Sequence, residues 1–195
     1  MCWGQHTVKK MTILATCLVK ITMKMTKLTA LFAVGYVFLG TQTPLLAAQE
    51  CNNRQALNAN MGRFISHANG TVTDTQTQLM WKQCMEGQRG TRCFGQAEVL
   101  PWDRALQTAY SASQAHFAGY GDWRLPTVEE LLSVVDKQCR EPAINLSIFP
   151  ATPASSLWSG NQSDPNAWSV DFGAGRPFQS FKAGGKYVRL VRNLH

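Results

Sequence analysis

Four cysteines, Cys51, Cys84, Cys93 and Cys139, follow a segment with the makeup of an export signal, and the pair of features constrains the fold more than any other. From Lys20 to Lys27 the chain is basic, from Leu28 to Gly40 it is an apolar run of 13 residues, and it then closes on Leu46-Ala47-Ala48. Charged, then apolar, then small is the order of a secretory signal peptide, with cleavage expected after Ala48. Thirteen residues fall short of the roughly 20 needed to cross about 30 Å of hydrocarbon, so no permanent membrane span is expected after cleavage. A shorter apolar patch, Met11 to Val19, precedes the signal, and a start at Met23 or Met25 would give a compact one. Residues 1–48 therefore read as a signal peptide with a start-site extension.

Cys2 and Cys17 leave with that segment, and the remaining even count in an exported chain reads as two disulfides with three possible connectivities. Cys84 and Cys93 bracket a polar loop containing Gly87 and Gly90, which can bring its ends together, so they are paired. By elimination, Cys51 pairs with Cys139 and ties an N-terminal arm, residues 49–62, to the middle of the domain. There is no Cys-x-x-Cys, and only His67 and His116 lie inside the body, so neither a metal site nor a cofactor is expected.

The net charge of +7 resolves unevenly along the chain. Residues 1–48 carry five lysines and no acid, residues 49–171 nine bases and 12 acids, and residues 172–195 five bases and no acid. Once the leader is removed the body is acidic, and nucleic acid is not an expected partner. The five C-terminal bases, Arg176, Lys182, Lys186, Arg189 and Arg192, are the one basic segment left to consider.

Short runs at Phe64-Ile65, Gly70 to Asp74 and Leu79 to Trp81 read as strands, with turn formers at Asp74 to Thr77. From Trp102, apolar residues at 105, 106, 109 and 112 recur at helical spacing up to Gly119. Thr127-Val128-Glu129-Glu130 fits a capping box, with Thr127 and Glu130 capping a helix that runs toward Cys139. After Pro142 come four runs, Leu157 to Ser159, Ala167 to Phe172, Phe178 to Phe181 and Tyr187 to Val191, and alternation puts Trp168, Val170 and Phe172 on one face. The expectation is a single α+β domain over residues 63–195, with two helices and short antiparallel strands.

Gly70-Thr71-Val72-Thr73-Asp74, Gly119-Tyr120-Gly121-Asp122-Trp123-Arg124-Leu125-Pro126-Thr127 with Glu130-Leu131, Pro142-Ala143-Ile144-Asn145, Trp158-Ser159, Ala167-Trp168 and Val188 to Arg192 occur in an order that resembles the Lcl C-terminal domain family. Gln78 and Gly121 stand where the family pattern has Gly and Ser. The resemblance covers roughly residues 60–193. It implies an exported bacterial protein, in the periplasm or at the cell surface, and for the namesake adhesin it implies attachment to sulfated glycosaminoglycans. The Arg-Leu-Pro-Thr block is also similar to formylglycine-generating enzymes, which implies a C-type-lectin-like fold. Those enzymes use two late cysteines, and no Cys follows Cys139 here.

No catalytic set assembles from the sequence. Glu129 and Glu130 are consecutive and point apart, His67 has no visible acidic partner, and no serine lies in a nucleophile elbow. Asp164-Pro165-Asn166 reads as a turn. The expected function is a binding or adhesion module for an anionic polysaccharide, with Trp123, Arg124, Trp158, Arg176, Lys182 and Lys186 as candidate ligand contacts. An envelope enzyme acting on glycans or peptides and a structural protein with an envelope partner are the alternatives.

Overall fold

Period-two alternation in the sequence becomes hairpins. The computed structural model describes residues 49–52 and 62–194; the leader, its cleavage position and the middle of the arm lie outside the described residues. The elements are β1 (Glu50–Cys51), β2 (Phe64–Ser66), β3 (Thr71–Asp74), β4 (Leu79–Lys82), α1 (Trp102–Gln114), α2 (Val128–Ser133), β5 (Cys139–Arg140), β6 (Ser156–Ser163), β7 (Asn166–Asp171), β8 (Arg176–Phe181) and β9 (Val191–Asn193). They form antiparallel sheets in the orders β1-β5, β2-β3-β4-β9 and β6-β7-β8. The architecture is the expected α+β arrangement, closed by disulfides Cys51–Cys139 and Cys84–Cys93. Among the described residues, no helix is long and apolar enough to cross a membrane.

The β3–β4 hairpin turns on Asp74, which is fully buried. Its carboxylate accepts from the Gln76 amide at 3.1 Å and the Thr77 hydroxyl at 2.7 Å, a local bond pattern that favours a turn over strand continuation. Arg63 completes the set at 2.7 Å through Nε. Gln78 adopts φ 58°, the left-handed region that glycine occupies at less cost, which gives a physical reason for glycine in the family pattern there.

β4 divides the core. Leu79 and Trp81 point into a cluster with Phe64, Val72, Leu131, Phe149, Leu157 and Val170, while Met80 points into another with Trp102, Ala105, Trp123, Trp158, Val188 and Leu190. α1 lays Trp102, Ala105 and Ala109 on the second cluster and exposes Leu106 and Tyr110. α2 stops at Ser133, short of the expected run toward Cys139. The amides of Val134 and Val135 fall back on Leu131 and Leu132 at 3.3 and 3.2 Å, a three-residue closure, and the Asp136 amide goes instead to Ala143. Two β-branched residues in succession suit that exit.

The last segment joins the sheets. Tyr187 exchanges backbone bonds with Ser156 and Trp158 beside β6, the Lys82 and Glu86 amides donate to the carbonyls of Leu190 and Val188, and Val191 pairs with Arg124 before β9 lies along β4. The regular strand begins only at Val191, because residues 187–190 change partners from one sheet to the other. Gln49 to Asn52 dock at the opposite end, where the Gln49 amide donates to the carbonyls of Pro142 and Ile144.

Candidate functional site

The Thr127–Glu130 capping box forms as the spacing demands. The Thr127 hydroxyl accepts from the Glu130 amide at 3.2 Å and the Glu130 carboxylate accepts from the Thr127 amide at 2.7 Å. The same carboxylate also receives two hydrogen bonds from Arg124, both at 2.7 Å, and Arg124 reaches Asn193 of β9 as well. Arg124, a candidate ligand contact by sequence, is thus a clamp between the entrance of α2 and the C-terminal strand. Its neighbour Asp122 pairs with Arg192, which also lies 4.0 Å over the Tyr120 ring.

Glu130 and Asp74 share an electrostatic pattern. Burial pushes both carboxyls up, but arginine and local hydrogen bonds pull further, so each sits below its ordinary value of 4.5 or 3.8. The unfolded chain therefore takes up these protons first as pH falls. Their contribution to stability is present above about pH 4.5 and is lost as pH drops through the depressed folded values. The urea midpoint is expected to fall steadily between about pH 5 and pH 2, with a shallower decline in Glu130→Gln; a flat midpoint over that window would contradict the assignment.

The tail bases do not form one patch. Arg189 is fully buried and Arg192 is 6% exposed. Lys182 is ion-paired with Asp164, bonds Gln162 at 3.1 Å and lies 4.6 Å over the Trp102 ring. Lys186 sits within 6 Å of the Trp158 and Phe178 rings. Arg176 is exposed at the start of β8, and six residues of strand put it roughly 20 Å from Lys182. The two tryptophans chosen by sequence are also committed to the core. Trp123 is 3% and Trp158 0% exposed, and their indole N–H groups donate to the carbonyls of Phe117 and Leu100. Neither offers a ring face to solvent.

A different basic surface is assembled by folding. A cleft of ≈ 320 Å³ opens between the disulfide-bridged loop and the turn before β3, lined by Asn69, Gly70, Lys82, Gln88, Arg89 and Phe117 among others, with no carboxylate in its wall. Arg89 stands on a small hairpin held by reciprocal backbone bonds with Phe94 at 2.9 and 2.8 Å, and the Cys84–Cys93 bridge closes its base. Its guanidinium is exposed and has no ion pair among the described residues. Across the cleft, Lys82 lies 4.4 Å over the Phe117 ring and pairs with Glu86 at 2.7 Å. A second cleft, of ≈ 710 Å³, mixes Glu50, Glu141 and Asp171 with Lys137, Arg140 and Arg176, so its charges offset one another. Sequence reasoning passed over Arg89; the signal was two bases, Arg89 and Arg92, inside a loop whose ends are covalently tied.

An α+β domain with its N-terminal arm and one loop stapled by two disulfides, and with many of its charged groups paired within the fold, defines an extracytoplasmic module suited to an oxidising setting. The chain belongs to the Lcl C-terminal domain family, whose family model matches residues 70–192. No curated protein matches the sequence.

Proposed function

We propose that this protein is a bacterial recognition module of the periplasm or cell surface that contacts anionic polysaccharide through the Arg89 cleft. The supporting observation is the cleft itself, with Lys82 and Arg89 on its walls, an aromatic ring at Phe117 and no acid in the lining. Such a site suits a sulfate or carboxylate on a sugar, with the guanidinium as a bidentate partner. Arg176, Lys182 and Lys186 stay in the proposal as outer contacts for a polymer longer than the cleft.

Salt-dependent retention on heparin tests the reading. Arg89→Glu is expected to weaken binding about tenfold and to shift elution to lower salt, whereas Arg104→Glu, on the exposed side of α1, leaves it unchanged. Loss of retention in Lys186→Glu but not in Arg89→Glu would move the contact to the tail set. Absence of retention in the unaltered protein would remove the anionic-glycan reading.

A further inference from the structure

The three-stranded sheet is covered unevenly on one face. Cross-strand partners share a face, so the register puts Leu157, Val170 and Pro177 in one row, Trp168 and Gln179 in the next, and Ser163, Asn166 and Phe181 beyond them. Leu157 and Val170 are buried in the cluster that includes Leu131 and Val134 at α2. Farther along the same face the cover ends. Phe181 is 71% exposed and Trp168 is only partly buried, whereas Trp81, Trp102, Trp123 and Trp158 are all 7% exposed or less.

Trp168 and Phe181 are diagonal neighbours on adjacent strands, with Cβ atoms roughly 7 Å apart by sheet geometry, close enough for their rings to form one continuous strip. The indole N–H of Trp168 has no acceptor among the described residues, unlike those of Trp102, Trp123 and Trp158, which are bound to carbonyls. The flanking side chains on this face, Gln179, Asn166 and Ser163, are uncharged amides and a hydroxyl. The two charges at this end of the sheet, Lys182 and Asp164, pair with each other.

Gln179 donates to the Ser163 hydroxyl at 3.5 Å and keeps a second amide hydrogen, while the Asn166 amide and the Trp168 indole N–H hold no partner among the described residues; two rings beside such donors match a ligand that is apolar on one face and rich in hydroxyls around its rim. We propose that the Trp168–Phe181 strip is a binding subsite for uncharged pyranose units, with the C–H face of the sugar against the rings and its hydroxyls toward Gln179, Asn166 and the Trp168 indole N–H. This subsite is separate from the Arg89 cleft and asks for the opposite ligand character. It does not depend on the anionic reading, and its binding is insensitive to salt.

The test titrates the protein with unsulfated hexasaccharides of β-linked glucose, α-linked glucose and N-acetylglucosamine, at about 0.5 M salt, where exposed charges are screened. The readout is the Trp168 indole N–H resonance, assigned by its loss in Trp168→Phe. At least one sugar is expected to shift that resonance, and by calorimetry, which needs no indole, Trp168→Ala and Phe181→Ala are each expected to weaken binding about tenfold while Arg89→Glu binds like the unaltered protein. Phe181 is exposed enough that its removal leaves the fold intact, so Phe181→Ala decides the matter if Trp168→Ala does not fold. No shift with any of the three sugars at about 10 mM, or unchanged affinity in Phe181→Ala, would overturn the proposal. So would a Phe181→Ala variant whose only change is loss of self-association, since the strip would then cover a second copy of the chain.

Discussion

Arg189→Ala is expected to destabilise the domain by about 4 kcal/mol, the scale of losing several buried hydrogen bonds to one donor and opening a cavity in its place. Arg189 is fully buried, with no carboxylate within ion-pair distance among the described residues. Its guanidinium instead donates to the carbonyls of Lys82 and Gln83 and to the Thr152 hydroxyl at 2.7 Å, and stacks 4.7 Å over the Phe149 ring. Burial pushes its pKa down to about 9, with the Glu86 charge opposing, so it is still a cation at neutral pH. The alanine variant takes the donor from the carbonyls of Lys82 and Gln83 and from the Thr152 hydroxyl, which keeps only its own bond to the Phe149 carbonyl, and opens a cavity beside them. Arg189→Met restores much of the volume but none of the donors, and is expected to recover part of the loss, to about 2–3 kcal/mol. Urea midpoints read both values. A change below about 1 kcal/mol in the alanine variant would mean that neighbouring groups, or water, take over those acceptors.

Opening the Cys51–Cys139 bridge in a Cys51→Ala, Cys139→Ala double variant is the other large effect, at about 4–5 kcal/mol. The bridge closes 88 residues of separation, and the chain-entropy account scales with the logarithm of that span. The span encloses β2 to α2 and β5, so the bridge restricts most of the unfolded chain. In the folded state it supports the β1–β5 pair, only two residues to a strand, and the Gln49 contacts to Pro142 and Ile144. Thermal melting of the oxidised protein against the double variant is expected to differ by well over 10 °C for a domain of this size. A difference of a few degrees would mean that the arm stays docked without its bridge, or that the unfolded chain is already compact.

Features whose physics is local were readable from the sequence. The capping box depends on residues three apart, the β3–β4 turn on Asp74 and its immediate successors, and the Cys84–Cys93 bridge on a short loop with glycines. The shared face of Trp168, Val170 and Phe172 followed from alternation alone, although alternation does not say where a covering helix ends. For the same reason spacing does not show that Trp123 and Trp158, which lie next to loops, are buried by α1, Phe117 and the C-terminal segment while Trp168 is partly open. The burial of two tail bases is hidden from the sequence for a related reason. Arg189 and Arg192 differ by an odd step and do face opposite sides, but both are buried, because residues 187–190 pass between two sheets and β9, though last in its sheet, is backed by the Arg124 strand segment and Asp122. Arg89 and Lys82 meet only in three dimensions, and nothing in their spacing announces it.

The C-terminal segment also sets when the protein can fold. β4 is flanked on one side by β3, its sequence neighbour, and on the other by β9, more than a hundred residues later, while residue 187 supplies a partner for β6. Contacts of such high sequence separation make folding slow, because loop closure must precede their reward. The central sheet stays incomplete, with Val191, Leu190 and Arg189 absent from its core, until the segment after Lys186 has docked. A chain with that dependence is expected to refold slowly and as one unit, since the β3–β4 hairpin has no second flanking strand until the C-terminal segment docks.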